Sequence, residues 1–380
     1  MDYGLIPTPA LSYQTRATRL AGGVMITASH NPPGYNGFKI FNSNGESIED
    51  RASLNGTFAN RKSKASVRVT PGLEQDQPRE YRARLSSISL EKPQRIVLDP
   101  GNGATCDLAP QIYKEAVGLV TAINSYPDGD FPGRGSEPTR QTVSSLCRTV
   151  AETGADAGIA FDGDGDRFYM VDERGNCPLQ DRVLGIYISL LANQSKGPYL
   201  VPIDVSMVVD EVAEKHGAKL VRGPVGDAKL LGEMKKWKAS FAGEPSGAWI
   251  HADFNPCPDG ILSGLLFLKQ LEQSQTTLSK SLAEIPEYHM LRKSFSFRGK
   301  ISKSASNSLL RGLEKIVGRD SSDDTRFGLR VKSDDSWVLV RESGTEPVIR
   351  VTTESKIPAT ARRLMKESLA LIRRVFKVGD

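Results

Sequence analysis

The stretch Ala155-Asp156-Ala157-Gly158-Ile159-Ala160-Phe161-Asp162-Gly163-Asp164-Gly165-Asp166-Arg167 decides how this chain is read. Its first seven residues make a short apolar run, the pattern of a buried strand. Three carboxylates then stand at every second position, separated only by glycines, and a guanidinium follows at once. Like charges repel and cannot be buried without partners, so they must leave the strand's C-terminal end as a loop. Carboxylate oxygens around a bare turn suit a hard, oxygen-preferring dication such as Mg²⁺. A solvated acidic turn would account for one Asp-Gly pair but poorly for this run. An EF-hand calcium loop is the sharper rival: counted from Asp162 as position 1, acids fall at 3 and 5 and Glu173 at 12. That loop needs Gly at position 6, where this chain has Arg167, and it needs an entering helix. The catalytic Mg²⁺ site is the better reading.

Strands and helices alternate on both sides of this loop. Arg95–Asp99 reads as a buried strand ending in the Pro100-Gly101-Asn102-Gly103 turn, with helical spacing from Leu108 to Gly118. A second helix is expected from a Thr139 cap to Gly154. Phe168–Val171 reads as the next strand, with a turn at 173–176. A further unit has strands at Tyr199–Ile203, Lys219–Val221 and Phe241, a Ser206-capped helix to Gly217, and helices over Leu230–Trp237 and Ile261–Leu271. Alternation at this spacing predicts α/β units. Beyond residue 290, short strands at 295–297, 328–332, 337–341 and 348–353 precede a helix at 358–375, which predicts a smaller α+β unit. Arg51–Lys92 is polar and weakly patterned, a linker with a short helix at Arg79–Ile88.

The 380 residues suffice for two to four domains. The hydrophobic share of 38% and charged share of 25% are those of an ordinary soluble protein. No apolar run approaches a membrane span and the start lacks a signal peptide, so no membrane partner and a cytoplasmic location are expected. A net charge of +5 without a basic arm suits anionic small molecules and not nucleic acid. Cys106, Cys147, Cys177 and Cys257 are scattered with no Cys-x-x-Cys pair, which predicts reduced thiols. Oligomeric state is not readable.

Three other segments carry chemistry. Thr27-Ala28-Ser29-His30-Asn31-Pro32-Pro33 follows the apolar Val24-Met25-Ile26, which puts the Ser29 hydroxyl in a stiff turn at a strand end. His30 is a possible base and Lys39 a charge to offset a phosphate; taken alone, most such serines only cap backbone groups. Gly243-Glu244-Pro245-Ser246-Gly247 offers a carboxylate and a hydroxyl suited to sugar hydroxyls, although a bare turn uses the same Gly and Pro. Arg341-Glu342-Ser343-Gly344-Thr345-Glu346-Pro347, with Arg350 beyond, combines guanidinium forks, hydroxyls and open backbone, a match for a phosphate dianion. A salt-bridged hairpin would explain the arginines there and leave the Ser-Gly-Thr unexplained.

In their order along the chain, Thr-Ala-Ser-His-Asn-Pro, Asp-Gly-Asp-Gly-Asp-Arg, Gly-Glu-Pro-Ser-Gly and Arg-Glu-Ser-Gly-Thr-Glu-Pro strongly resemble the α-D-phosphohexomutases, which include phosphoglucosamine mutases, phosphomannomutases and phosphoglucomutases. The resemblance spans essentially the whole chain, including Phe131-Pro132-Gly133-Arg134 and Glu137-Pro138. It implies three consecutive α/β domains and a smaller α+β C-terminal domain, here 1–92, 93–190, 191–290 and 291–380, with the active site where they meet. It further implies that Ser29 is a phosphoserine that phosphorylates a hexose phosphate, with Asp162, Asp164, Asp166 and a phosphoserine oxygen around Mg²⁺. Arg167 and Lys39 would flank the transferring group, and Glu244 and Ser246 would grip the sugar. Arg341, Ser343, Gly344, Thr345 and Arg350 would hold the phosphate that is not reacting. A hexose 1,6-bisphosphate would act as activator.

Two departures from the family pattern stand out. The family opens with a Gly-Thr-Ser/Asp-Gly-Ile-Arg-Gly segment and a later Gly-Arg-Asp-x-Arg, both absent before Pro7-Thr8-Pro9. About two strand–helix units, on the order of 60–80 residues, are expected to be missing from an incomplete first domain. That would leave an exposed sheet edge and an open core. In the sugar loop, Ala248-Trp249-Ile250-His251 follows where many relatives place His directly, a form like the archaeal phosphoglucosamine mutase branch, so a proton-donor role does not carry over. The expected substrate is therefore glucosamine-6-phosphate, with a phosphomannomutase/phosphoglucomutase or an inactive sugar-phosphate-binding remnant as alternatives.

Overall fold

The computed structural model describes residues 1–48, 77–297, 299, 301–318, 326–343 and 347–376. In chain order, α1 (Thr8–Ala17) precedes a two-stranded antiparallel sheet of β1 (Gly22–Ile26) and β2 (Phe38–Asn42). Next come α2 (Arg79–Ser86), β3 (Gln94–Asp99), α3 (Leu108–Val117), β4 (Gly118–Ala122), α4 (Ser144–Thr153), β5 (Ala157–Phe161) and β6 (Phe168–Val171). The sheet order is β4-β3-β5-β6, with β3 parallel to β4 and β5, and β6 antiparallel to β5.

The third unit repeats that plan with α5 (Gln180–Leu191), β7 (Tyr199–Pro202), α6 (Met207–Lys215), β8 (Leu220–Gly223), α7 (Asp227–Trp237), β9 (Phe241–Gly243), β10 (Trp249–His251), α8 (Gly260–Gln273) and α9 (Leu278–Ala283). Its order is β10-β9-β7-β8, again parallel except for the last strand. The fourth unit is antiparallel throughout: β11 (His289–Ser296), β12 (Leu329–Lys332), β13 (Ser336–Glu342) and β14 (Val348–Ser355) in the order β11-β14-β13-β12, with α10 (Lys303–Val317) and α11 (Pro358–Phe376) packed on it. This is the expected succession of α/β units closed by an α+β unit.

The period of two along a strand places the cores. In β3, Ile96 and Leu98 join a large cluster with Ile159, Phe161, Tyr113 and Leu265, while Val97 turns to Val143 and to Leu146 and Val150 on α4. That large cluster runs from Ile6 and Leu11 through the second and third units to Trp337 and Leu339. Ser206 caps α6 by accepting from Val208 N at 3.1 Å, as expected. The helix expected from Thr139 starts later, at Ser144, because Thr139–Val143 is held as a turn by bonds to Thr142 and Val143.

On the β1–β2 sheet Val24, Ile26 and Phe38 are exposed, and a cavity of about 800 Å³ lies between the N-terminal residues, β1 and Phe131. The cysteines depart from expectation. Cys147 on α4 meets Cys177 in a disulfide, because the turn after β6 packs against that helix, while Cys106 and Cys257 are free and buried. Among the described residues, no helix is long and apolar enough to cross a membrane.

Candidate active site

Three loops occupy the same place in their units, each joining a strand to its antiparallel edge partner. They are 27–37 between β1 and β2, 162–167 between β5 and β6, and 244–248 between β9 and β10. The 162–167 loop is the hub. Its carboxylates are buried, with one oxygen each of Asp162, Asp164 and Asp166 within 4.8 Å of one another. Asp162 Oδ1 accepts from Arg167 N at 3.0 Å. Three neighbours hold its backbone carbonyls: Ala104 N donates to Gly163 O at 2.9 Å, Thr8 N to Asp164 O at 2.8 Å and Gly260 N to Gly165 O at 3.1 Å, while just beyond the loop Phe168 N donates to Gly247 O at 3.4 Å.

Burial, reinforced by Asp166 and Asp164, pushes the Asp162 carboxyl well above its ordinary range. Asp164 Oδ1 and Asp166 Oδ1 are buried with no hydrogen-bond donor among the described residues. Oxygen-only, inward-facing carboxylates with unmet acceptor capacity fit a hard divalent cation. Glu173 settles the EF-hand alternative: it lies beyond β6 and accepts from Thr277 Oγ1, Ser279 Oγ and Ser279 N, on another face.

Ser29 comes to this loop with its Oγ 3.3 Å from Asp162 Oδ2 and 3.3 Å from His30 Nδ1. Its backbone is left-handed, φ +55, a conformation disfavoured by its Cβ. A side chain at Gly163 would stand 2.6 Å from Ser29 O, so glycine permits the approach. Burial and the Arg167 charge lower the His30 pKa, against the opposing pull of Glu137, Asp166 and Asp164. Lys39 reaches over from β2 to Asp164 Oδ2 (2.8 Å) and Asp166 Oδ2 (2.5 Å). Burial opposes its charge, and Asp166 and Asp164 outweigh that and raise its pKa. Arg167 pairs with Glu137 at 3.3 Å.

A cavity of about 580 Å³ opens beyond Glu137, lined by Glu244, Ser246, Asp204, Arg341 and Arg350. Ser246 Oγ donates to Glu244 Oε2 at 3.1 Å, and burial raises the Glu244 pKa. Arg341 and Arg350 are direct cross-strand partners on β13 and β14. Like charges so opposed are destabilising unless an anion lies between or beside them, and Asp204 Oδ2 accepts from Arg341 at 3.1 Å. Ser343 lines the neighbouring cavity, of about 750 Å³; Gly344 and Thr345 lie outside the described residues. His251 is buried, bonded through Nε2 to Ser263 Oγ at 3.0 Å, and burial lowers its pKa to about 3, so it is no proton donor. Sequence reading gave no role to Thr8, whose Oγ1 donates to Asp164 Oδ2 at 2.6 Å, nor to Arg134 and Ser136. The Thr8 and Ser136 contacts span 156 and 106 residues and those of Arg134 span 27 and 35, and only the Pro7-Thr8-Pro9 and Phe131–Glu137 motifs hinted at them.

Three α/β units that offer corresponding hairpin loops to one cleft, closed by an antiparallel fourth, define the phosphohexomutase architecture. Models of phosphoglucomutase/phosphomannomutase α/β/α domains I, II and III match residues 1–62, 79–175 and 180–288, and the C-terminal domain matches 303–371. The chain belongs to the phosphoglucomutase/phosphomannomutase family. A relative named "probable phosphoglucosamine mutase" from Methanothermobacter thermautotrophicus is 37% identical, over 98% of this chain and 83% of its own length. A phosphoglucosamine mutase from Methanococcus maripaludis is 32% identical over 97% and 84%. The solved structure of a family protein from Burkholderia thailandensis superposes with a TM-score of 0.83 at 23% identity, covering 100% of this chain and 83% of that one. Aspergillus fumigatus N-acetylphosphoglucosamine mutase, solved with GlcNAc-6P and magnesium, gives 0.63 at 16%, covering 99% and 96%.

Proposed function

We propose that the chain is a phosphohexomutase that moves a phosphoryl group between O6 and O1 of a hexose phosphate, with glucosamine-6-phosphate and glucosamine-1-phosphate as its pair. The observation that carries this reading is Ser29, held in a left-handed turn with its hydroxyl 3.3 Å from a buried acidic triad. Ser29 carries the phosphoryl group, and Asp162, Asp164 and Asp166 with a phosphoserine oxygen would hold Mg²⁺. A dication bound there would supply charge neutralisation on the transferring oxygens. Lys39 and Arg167 add positive charge beside that group, and Glu244 and Ser246 hold sugar hydroxyls. Arg341 and Arg350, with Ser343, Gly344 and Thr345, hold the remote phosphate.

In the first half-reaction the P–O bond to Ser29 breaks as a P–O bond to a sugar hydroxyl oxygen forms; the sugar's proton passes to a base, and the departing Ser29 oxygen takes up a proton to become the free hydroxyl. The bisphosphate then turns over, and its other phosphoryl group returns to Ser29, whose hydroxyl gives up its proton to a base while the freed sugar oxygen takes one. His30 Nδ1 is within reach of the Ser29 hydroxyl in the dephosphorylated form. A paired-arginine clamp suits this cycle because it can grip either end's phosphate. Hexose 1,6-bisphosphate would prime an unphosphorylated chain. The amino-sugar assignment is supported by relatives named phosphoglucosamine mutase at 32–37% identity.

The test is turnover of glucosamine-, glucose- and mannose-6-phosphates with Mg²⁺ and hexose 1,6-bisphosphate. Glucosamine-6-phosphate should lead in kcat/KM by about tenfold or more. A lead for mannose or glucose would reassign the substrate. No turnover of any would overturn the mutase reading in favour of a binding remnant.

A further inference from the structure

One loop ties the Ser29 turn to the acidic loop. Arg134 is buried beneath it, with side-chain exposure of 2%, and its Nε donates to Asp99 Oδ2 at 2.8 Å. Its Nη2 donates to Asp99 O at 3.1 Å and to Phe161 O, the carbonyl immediately before Asp162. Glycine at 101 leaves room for that guanidinium. Two residues on, the buried Ser136 donates to His30 O at 2.7 Å and Asn31 O at 2.9 Å, one hydroxyl hydrogen shared in a three-centre bond. Phe131 lies under Gly163, at 3.3 Å from where a Cβ there would stand.

A loop that merely closed its own turn would use its donors on itself. Here one donor set grips the entry to the acidic loop and the other grips the two carbonyls after Ser29, in a different unit of the fold. Ser29 needs such a restraint, because its left-handed backbone persists only where the surroundings over-determine it.

We propose that Ser136, anchored through Arg134, is a positioning residue for phosphoryl transfer: it holds the backbone of His30 and Asn31 and so sets the Ser29 hydroxyl against Asp162. The proposal rests on the mutase reading for its catalytic consequence, not for its structural one.

The test compares the full chain with Ser136→Ala and Ser136→Thr. Hydrogen exchange of the Ser29 and Asn31 amides should rise about tenfold in S136A, stay near wild type in S136T, and leave β3 and β5 unchanged. Phosphorylation of Ser29 by hexose 1,6-bisphosphate should slow roughly 10- to 100-fold in S136A with KM within about twofold, and S136T should restore it. Wild-type exchange in S136A would overturn the proposal, as would raised exchange with undiminished phosphorylation. If the wild type takes no phosphate, the mutase reading falls while the exchange comparison still decides whether Ser136 holds the turn.

Discussion

Asp164 shows how little of the site belongs to the acidic triad alone. One of its oxygens takes Thr8 Oγ1 at 2.6 Å and Lys39 Nζ at 2.8 Å, which aims the other inward. Thr8→Val keeps the shape and the Thr8 N bond to Asp164 O, so the fold should survive while Mg²⁺ or Mn²⁺ affinity drops about 10- to 100-fold by calorimetric titration. His251 gives a pH prediction. Its pKa falls from 6.5 to about 3 on burial, so the unfolded chain takes up a proton that the folded one refuses. Its contribution to stability is full above pH 6.5 and is lost as pH drops toward 3. In that window His251→Gln should remove a slope of about 1.4 kcal/mol per pH unit from denaturant-derived stability. At this scale the sequence exposed Ser29 and the acidic triad, because adjacent residues declare their own chemistry. Thr8 and Ser136 were hidden, since a hydroxyl's role depends on which distant carboxylate or carbonyl it meets.

At the scale of elements, the site is built from a repeated device, a hairpin loop at the end of a buried strand. The 244–248 loop docks on β6 through Gly247, φ +87, where any Cβ would collide with Phe168 O. Gly247→Ala should therefore cost about 3 kcal/mol or more by denaturant unfolding and break the Arg167–Ala248 bridge. A destabilisation under about 0.5 kcal/mol would show that the docking is soft. The buried strands β3, β5 and β7 were legible as short apolar runs bounded by turns. Helix α5 was not, because Val183–Ile188 is buried on nearly every side and shows no polar stripe. Helix α10 was masked by its serines and asparagine, although Leu309 and Leu313 form an inward stripe. Strand β4 follows α3 with no separating turn residues beyond Gly118.

Across the whole molecule, the shared core starting at Ile6 holds the first three units as one frame and reaches Trp337 and Leu339 of the fourth, which adds its own cluster around Leu309, Val338 and Leu364. Glu354 joins the two by accepting from Met207 N at 2.8 Å and Trp337 Nε1 at 2.5 Å. This frame places a serine from one unit beside acids from a second, and the 244–248 loop of the third beside an arginine pair from the fourth. The order of units was readable from strand–helix alternation. Their convergence was not, because it depends on loops that meet only after folding. The most direct measurement is a phosphopeptide map of the chain after incubation with Mg²⁺ and hexose 1,6-bisphosphate. One phosphate should appear on the peptide carrying Ser29 and vanish in Ser29→Ala, with turnover reduced at least about 10³-fold. An unmodified Ser29, or a phosphate that persists in Ser29→Ala, would contradict phosphoryl transfer through this serine.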